Sequence, residues 1–250
     1  MSRAQLRTRR VARSSQPILN LPPIVAAISA VLVFVHVVRA VVDSETDLQA
    51  LLWFAFVPAR YDSALALRLP LPGGEAAAMW TFVTYAFLHG DIVHLLVNLV
   101  WFLAFGSAVA WRFGAARFAV FFAVTSAAGA LAHLLTHFGE FSPLIGASAA
   151  ISGAMAAAVR FAFERGGPLG FFRGGGERSF RVPAAPLGQA LRNPQVIVFL
   201  TVWFMINLAF GIGSAPELIG NGTIAWEAHI GGLLAGLLLF PLFDPIAGRE

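Results

Sequence analysis

Apolar residues in this chain come in long unbroken runs, not in alternation with polar ones. Six runs predict helices at roughly 24–42, 93–111, 116–137, 147–163, 195–213 and 225–243. A run of about 18 residues or more is long enough to cross about 30 Å of hydrocarbon. Membrane β-strands would show shorter segments of alternating polarity. The pattern therefore predicts an all-α, polytopic membrane protein with six transmembrane helices. The turn between the second and third runs, Arg112 to Arg117, is very short. Pro194 falls at the start of the fifth run, where a helix tolerates it.

The polar segments between the runs alternate in charge. The N-terminal stretch carries Arg3, Arg7, Arg9, Arg10 and Arg13 with no acid among them. Segment 43–78 holds Asp43, Glu45, Asp47, Asp62 and Glu75 against Arg60 and Arg68. The 112–117 turn is basic, and the stretch after residue 138 holds Glu140 alone. Segment 160–194 is arginine-rich, and 214–224 holds only Glu217. Basic loops face the cytoplasm, and six spans with both termini inside satisfy every loop. The expected organisation is a cytoplasmic tail over 1–18, a six-span domain over 19–243 and a cytoplasmic tail over 244–250. The first run lacks a small-residue cleavage site, so it reads as an anchor and not as a signal peptide. The apolar content of 43–78 suggests helices lying at the outer interface. The Gly- and Pro-rich stretch 164–194 reads as a mobile cytoplasmic linker.

Composition agrees. The 250 residues are 58% hydrophobic and 12% charged, where soluble domains carry about 25% charged residues. Cysteine is absent, which excludes disulfides, thiolate metal sites and a cysteine nucleophile. The net charge of +4 would suggest nucleic acid in a soluble chain. Here the arginines sit in particular loops and report topology, so the expected partner is the bilayer and not nucleic acid.

Polar residues inside the runs are the candidates for chemistry, because burying them in lipid is costly. Ser148 opens the fourth run behind Gly146. Free N–H groups at a helix start favour developing negative charge, although a serine there also reads as a simple N-cap. His229 lies in the sixth run, with Gly232 and Gly236 at i+3 and i+7 on its side of the helix. Such glycines admit a second helix closely. Ala149, Ser152, Gly153 and Ala156 offer a matching small-residue surface, which would bring Ser148 near His229. His94 and Asn98, four apart, share a face of the second run and offer donors that suit an oxyanion hole; interhelical polar glue is the other reading. His89 would brace the start of that helix. A zinc site from His89, His94 and Glu227 lacks the HExxH motif. Glu227, two residues from His229, points elsewhere on its helix, so the pattern implies a Ser–His dyad braced by packing. His133 and His137 suit a metal, a proton or a helix end. His36 and Arg39 read as interfacial anchors and Asn207 as interhelical glue.

Three motifs together resemble the rhomboid family of intramembrane serine proteases. They are His94-x3-Asn98 on the second span, Gly146-x-Ser148 at the start of the fourth, and Ala228-His229-x2-Gly232-x3-Gly236 on the sixth. The resemblance covers about residues 20–243. It implies that Ser148 is the nucleophile and His229 the general base, then acid. It implies an oxyanion hole from His94, Asn98 and the Ser148 N–H, with Gly146 permitting a tight turn into the span. It implies no cofactor and no metal. The implied substrates are transmembrane proteins cut near the outer face, and the implied location is a bacterial inner membrane.

The chain departs from the family pattern in three places. Ala149 stands where glycine is usual, and Ala110 where glutamate is frequent. The Trp-Arg pair common in the first loop is absent from 43–78; Trp111-Arg112 lies on the other side. A catalytically dead relative that binds transmembrane clients is the alternative, against which stands the presence of both Ser148 and His229. A transporter is a third reading, against which stand the few intramembrane charges and the lack of a half-chain repeat.

Overall fold

The computed structural model describes residues 21–68, 71–170, 176–211 and 225–246. The basic N-terminal tail and the 214–224 loop with Glu217 lie outside them. The described residues are helical, with one isolated antiparallel bridge, between Phe56 and Leu144. In chain order the helices are α1 (Pro23–Val41), α2 (Ser44–Phe54), α3 (Ser63–Arg68), α4 (Gly74–Thr84), α5 (Ile92–Trp101), α6 (Ser107–Phe113), α7 (Ala115–Thr136), α8 (Ser148–Ala158), α9 (Leu187–Ala190), α10 (Pro194–Gly211) and α11 (Trp226–Phe243). A π turn over Phe102–Gly106 joins α5 to α6.

Four helices are long and apolar enough to cross a membrane: Pro23–Val41, Ile92–Phe113, Ala115–Thr136 and Trp226–Phe243. Ser148–Ala158 and Pro194–Ala209 are shorter apolar helices. Exposed Phe34, Val41, Leu135, Leu238 and Leu242 give the bundle an apolar outer surface, as a lipid-facing surface requires.

The fourth predicted run ends early. Its helix stops at Ala158, and the chain passes into turns through residue 169. Residues 149–158 are buried on every side, so α8 is the central post of the bundle. A helix that is apolar all round is a buried one.

α11 is wedged between α7 and α8, and glycine sets both contacts. A Cβ on Gly232 would fall on the backbone of Ala149, and one on Gly236 on the backbone of Gly153. Gly231 turns the other way, where a Cβ would stand 2.6 Å from the Cβ of Ala132 on α7. The small-residue match between the fourth and sixth runs therefore exists as backbone-to-backbone packing.

The other end of the bundle is held by an arginine. The Arg112 side chain is fully enclosed and grips both Asp244 carboxylate oxygens, at 2.9 and 2.8 Å. It also donates to the carbonyls of Phe180 and Val182 and lies 4.6 Å from the Phe161 ring centre. Arg160 bonds the Ala185 carbonyl at 2.9 Å. These bonds tie down 177–185, so this stretch is not the free linker its Gly- and Pro-rich composition suggests. On the opposite side, α2 and α4 pair through stacked Trp53 and Trp80 and through Trp80 Nε1–H to the Trp53 carbonyl. These are the structured elements expected of 43–78, extended by the unforeseen α4. Asp43 caps α2 by accepting from Glu45 and Thr46 N–H.

Gly236→Ala is expected to destabilise the protein by roughly 1–3 kcal/mol, because the methyl meets backbone that cannot turn aside. A detergent-solubilised thermal melt matching the parent would contradict this packing.

Candidate active site

Ser148 is the first residue of α8, behind Ala147 at the N-cap. The strand of chain that delivers it is fixed at three points. The Ser142 carbonyl lies 2.9 Å from His133 Nε2. Leu144 exchanges two backbone bonds with Phe56, of 2.8 and 3.2 Å. Gly146 N–H donates to the Tyr85 carbonyl at 3.0 Å, and Tyr85 is itself anchored by its hydroxyl to the Ser126 carbonyl. Gly146 has φ +111°, a conformation L side chains rarely adopt. It turns the chain into α8, leaving the first-turn N–H groups without intrahelical acceptors. The Ser152 hydroxyl bonds the Ser148 carbonyl at 2.8 Å, so the Ser148 hydroxyl is left to other partners.

That partner is His229. Its Nε2 lies 2.7 Å from Ser148 Oγ, which joins the two residues the sequence pairs. Its Nδ1 meets Asn207 Oδ1 on α10. Asn207 Nδ2 donates to the Trp203 carbonyl at 2.8 Å, which turns the amide oxygen toward the imidazole. An amide oxygen only accepts. Nδ1 therefore carries the proton, and Nε2 presents a lone pair to the Ser148 hydroxyl. This is the tautomer a general base requires. Asn207, read from sequence as interhelical glue, thus supplies a third partner where the sequence implied packing alone. The signal was present as one buried amide in an otherwise apolar run.

His94 stands on the other side of the serine. A Cβ on Gly146 would lie 2.6 Å from His94 Nε2 and 3.8 Å from Ser148 Oγ, so that ring nitrogen borders the serine. Gly90 N–H makes a long 3.5 Å contact to His94 Nδ1, which favours the tautomer with Nε2–H facing the site. Asn98 is buried, and one amide N–H is spent on the His94 carbonyl at 2.9 Å. Its second N–H is the one left for a ligand. Asp91 caps α5 through His94 N–H. His89 sits just ahead of that helix, as expected. Its carbonyl accepts from Arg39 at 2.8 Å, and its ring packs edge-on to His94. Burial pushes the His89 imidazole down to about 3, with His94 adding to the shift, so it is a neutral brace.

Glu227 does point away from His229, but not toward His89 and His94. It pairs with His133 Nδ1 at 2.8 Å. This excludes the three-residue zinc set of His89, His94 and Glu227 in the described arrangement.

Comparison with known proteins places this geometry in context. A family model, the Rhomboid domain, matches residues 76–244. The chain is 28% identical over 172 residues to the Rhomboid protease GlpG of Klebsiella pneumoniae, covering 68% of this chain and 50% of that one. It is 28% identical over 181 residues to the Rhomboid protease GlpG of an Enterobacter species, covering 71% and 54%. For the Rhomboid protease GlpG of Yersinia pestis the identity is 25% over 173 residues, covering 69% and 51%. The chain spans about half the length of the curated relatives it matches.

Gly146→Ala is expected to cost roughly 1–3 kcal/mol through the strained φ and to displace the His94 ring. An unchanged melting temperature together with an unchanged His94 imidazole NMR signal would show that the turn tolerates a side chain.

Proposed function

The chain belongs to the rhomboid family, and from that premise we propose that it is an intramembrane serine endopeptidase. The observation that carries the reading is the Asn207–His229–Ser148 chain of hydrogen bonds, which leaves the serine hydroxyl facing an unprotonated ring nitrogen. In the proposed reaction Ser148 Oγ attacks the peptide carbonyl carbon as His229 Nε2 takes its proton. The oxyanion accepts from the Ser148 N–H, His94 Nε2–H and the free Asn98 N–H, each worth roughly 3–4 kcal/mol. His229 then passes the proton to the departing amine nitrogen, and the C–N bond breaks to leave an acyl-serine. Water, deprotonated by His229, attacks the acyl carbon, and Ser148 leaves with its proton restored. No cofactor is needed for these steps.

α8 and α10 would join the four long helices as fifth and sixth crossings, with both termini cytoplasmic as the loop charges indicate. Residues 19–243 would form the catalytic unit between two cytoplasmic tails. The substrates would be transmembrane proteins, cut near the outer face of a bacterial inner membrane.

Fluorophosphonate labelling and cleavage of a transmembrane peptide test the reading together. Adduct on Ser148 is expected, with cleavage lost in Ser148→Ala and in His229→Ala, and slowed roughly ten- to a thousandfold in Asn98→Ala. Cleavage that survives either of the first two substitutions overturns the assignment. Asn207→Leu should lower kcat about tenfold, the worth of one hydrogen bond of roughly 1.4 kcal/mol. KM should hold steady, and Asn207→Asp, which keeps the acceptor, should recover much of the loss. A change in KM alone would remove Asn207 from any role in positioning the base.

A further inference from the structure

A second cluster of ligating side chains lies beside the serine and its base but takes no part in their chemistry. His133 on α7 and His137 immediately after it stack their rings, with centres 4.4 Å apart. Both face Glu227 in the first turn of α11. Glu227 Oε1 is 2.8 Å from His133 Nδ1 and 3.5 Å from His137 Nδ1, and the three ligand atoms all lie within 4.8 Å of one another. We propose that His133, His137 and Glu227 form a binding site for a zinc-type divalent cation that clamps the end of α7 to the start of α11.

Three observations carry this beyond proximity. The first is spacing. Tetrahedral zinc with bonds of about 2.0–2.1 Å holds its ligand atoms roughly 3.3 Å apart, and the two contacts to the carboxylate oxygen bracket that value. The second is orientation. His133 Nε2 lies 2.9 Å from the Ser142 carbonyl, which can only accept, so Nε2 carries a proton and Nδ1 is the ligating atom. A metal-binding imidazole is typically held by its other ring N–H in this way. With Nε2–H so engaged, His133 Nδ1 and the Glu227 oxygen have one proton between them, at the position a cation would take. The third is access. His133 and Glu227 are buried, whereas the His137 side chain is 30% exposed, which leaves a route from solvent and a coordination position for water. Thr136 Oγ1, 2.9 Å from His137 Nδ1, gives up that contact and keeps its bonds to the Ala132 and His133 carbonyls.

The ligand chemistry selects the ion. Two imidazole nitrogens and one carboxylate suit zinc, whereas calcium and magnesium demand oxygen ligands. The site is independent of any peptidase activity.

The test is calorimetric and thermal titration of ZnCl2 into the full chain, purified in detergent without a polyhistidine tag. One equivalent should bind at micromolar or lower Kd. The melting temperature should rise by about 5 °C at a hundredfold excess over Kd, EDTA should reverse the rise, and MgCl2 should produce none. His137→Ala lies outside the buried His133–Glu227 pair, so it should keep the metal-free melting temperature and lose the zinc response. Should that variant fail to fold, Glu227→Gln, which preserves the side-chain shape, should fold with a lower metal-free melting temperature, because it weakens the buried pair, and should likewise lose the zinc response. Absence of binding at micromolar zinc, or a response that persists in the folded variant, overturns the proposal.

Discussion

Everything at the candidate site depends on how closely α11 approaches α8. Gly232 and Gly236 rest against the backbone of Ala149 and Gly153, so the helix axes are as near as the main chain allows. In lipid no hydrophobic force drives two apolar helices together, and dispersion across a close interface must do it. The same approach determines whether an imidazole on one helix reaches a hydroxyl at the start of the other. The glycines are therefore part of the site although they carry no chemistry. Ala149, where the family usually has glycine, lies with its carbonyl against Gly232 and its methyl toward Gly129 on α7. The extra carbon is housed because a third helix leaves it a glycine-sized gap.

The arrangement around His229 contains no charge. Soluble serine hydrolases orient their imidazole with a carboxylate, which also offsets the imidazolium that forms in the reaction. Asn207 fixes the same tautomer without placing an anion in the bilayer, where an unpaired charge is costly. The one carboxylate on that end of α11, Glu227, is kept from the base by its bond to His133. Two residues apart on a helix, the acid and the base face different neighbours. The carboxylate ties helices together and the imidazole meets the serine.

Much of this was legible in the sequence. The four long spans, the glycine faces of α11 and the serine, histidine and His94–Asn98 positions follow from run length and from small or polar residues at helical spacing. Four features did not. Asn207 lies on a helix with no periodic signal, and only its rotation about the axis decides that it meets His229. The His133–Glu227 pair joins residues 94 positions apart, and nothing local announces it. The stretch near residue 180 reads as loop because its composition is poor in helix formers. Its order comes from Arg112 and Arg160, whose guanidinium groups satisfy backbone carbonyls from a distance. Charged residues at a span end carry a topology signal, and that signal hides their second use as buried anchors. The early end of α8 was likewise invisible, since apolar residues continue to Phe163 while the chain leaves the helix.

The orientation of His229 depends on where Asn207 resides. Among the described residues of α10 only Val196 and Asn207 are buried; the rest of the helix faces outward or is half-covered. The group that meets the imidazole's Nδ1 thus rides on a helix that buries little of itself. Ser148 sits on the element most embedded in it. The serine is insulated from the surroundings of the bundle, and its histidine partner is tied to an outward-facing helix. Any displacement of α10 would therefore reach the site through one hydrogen bond, the one between Asn207 and His229.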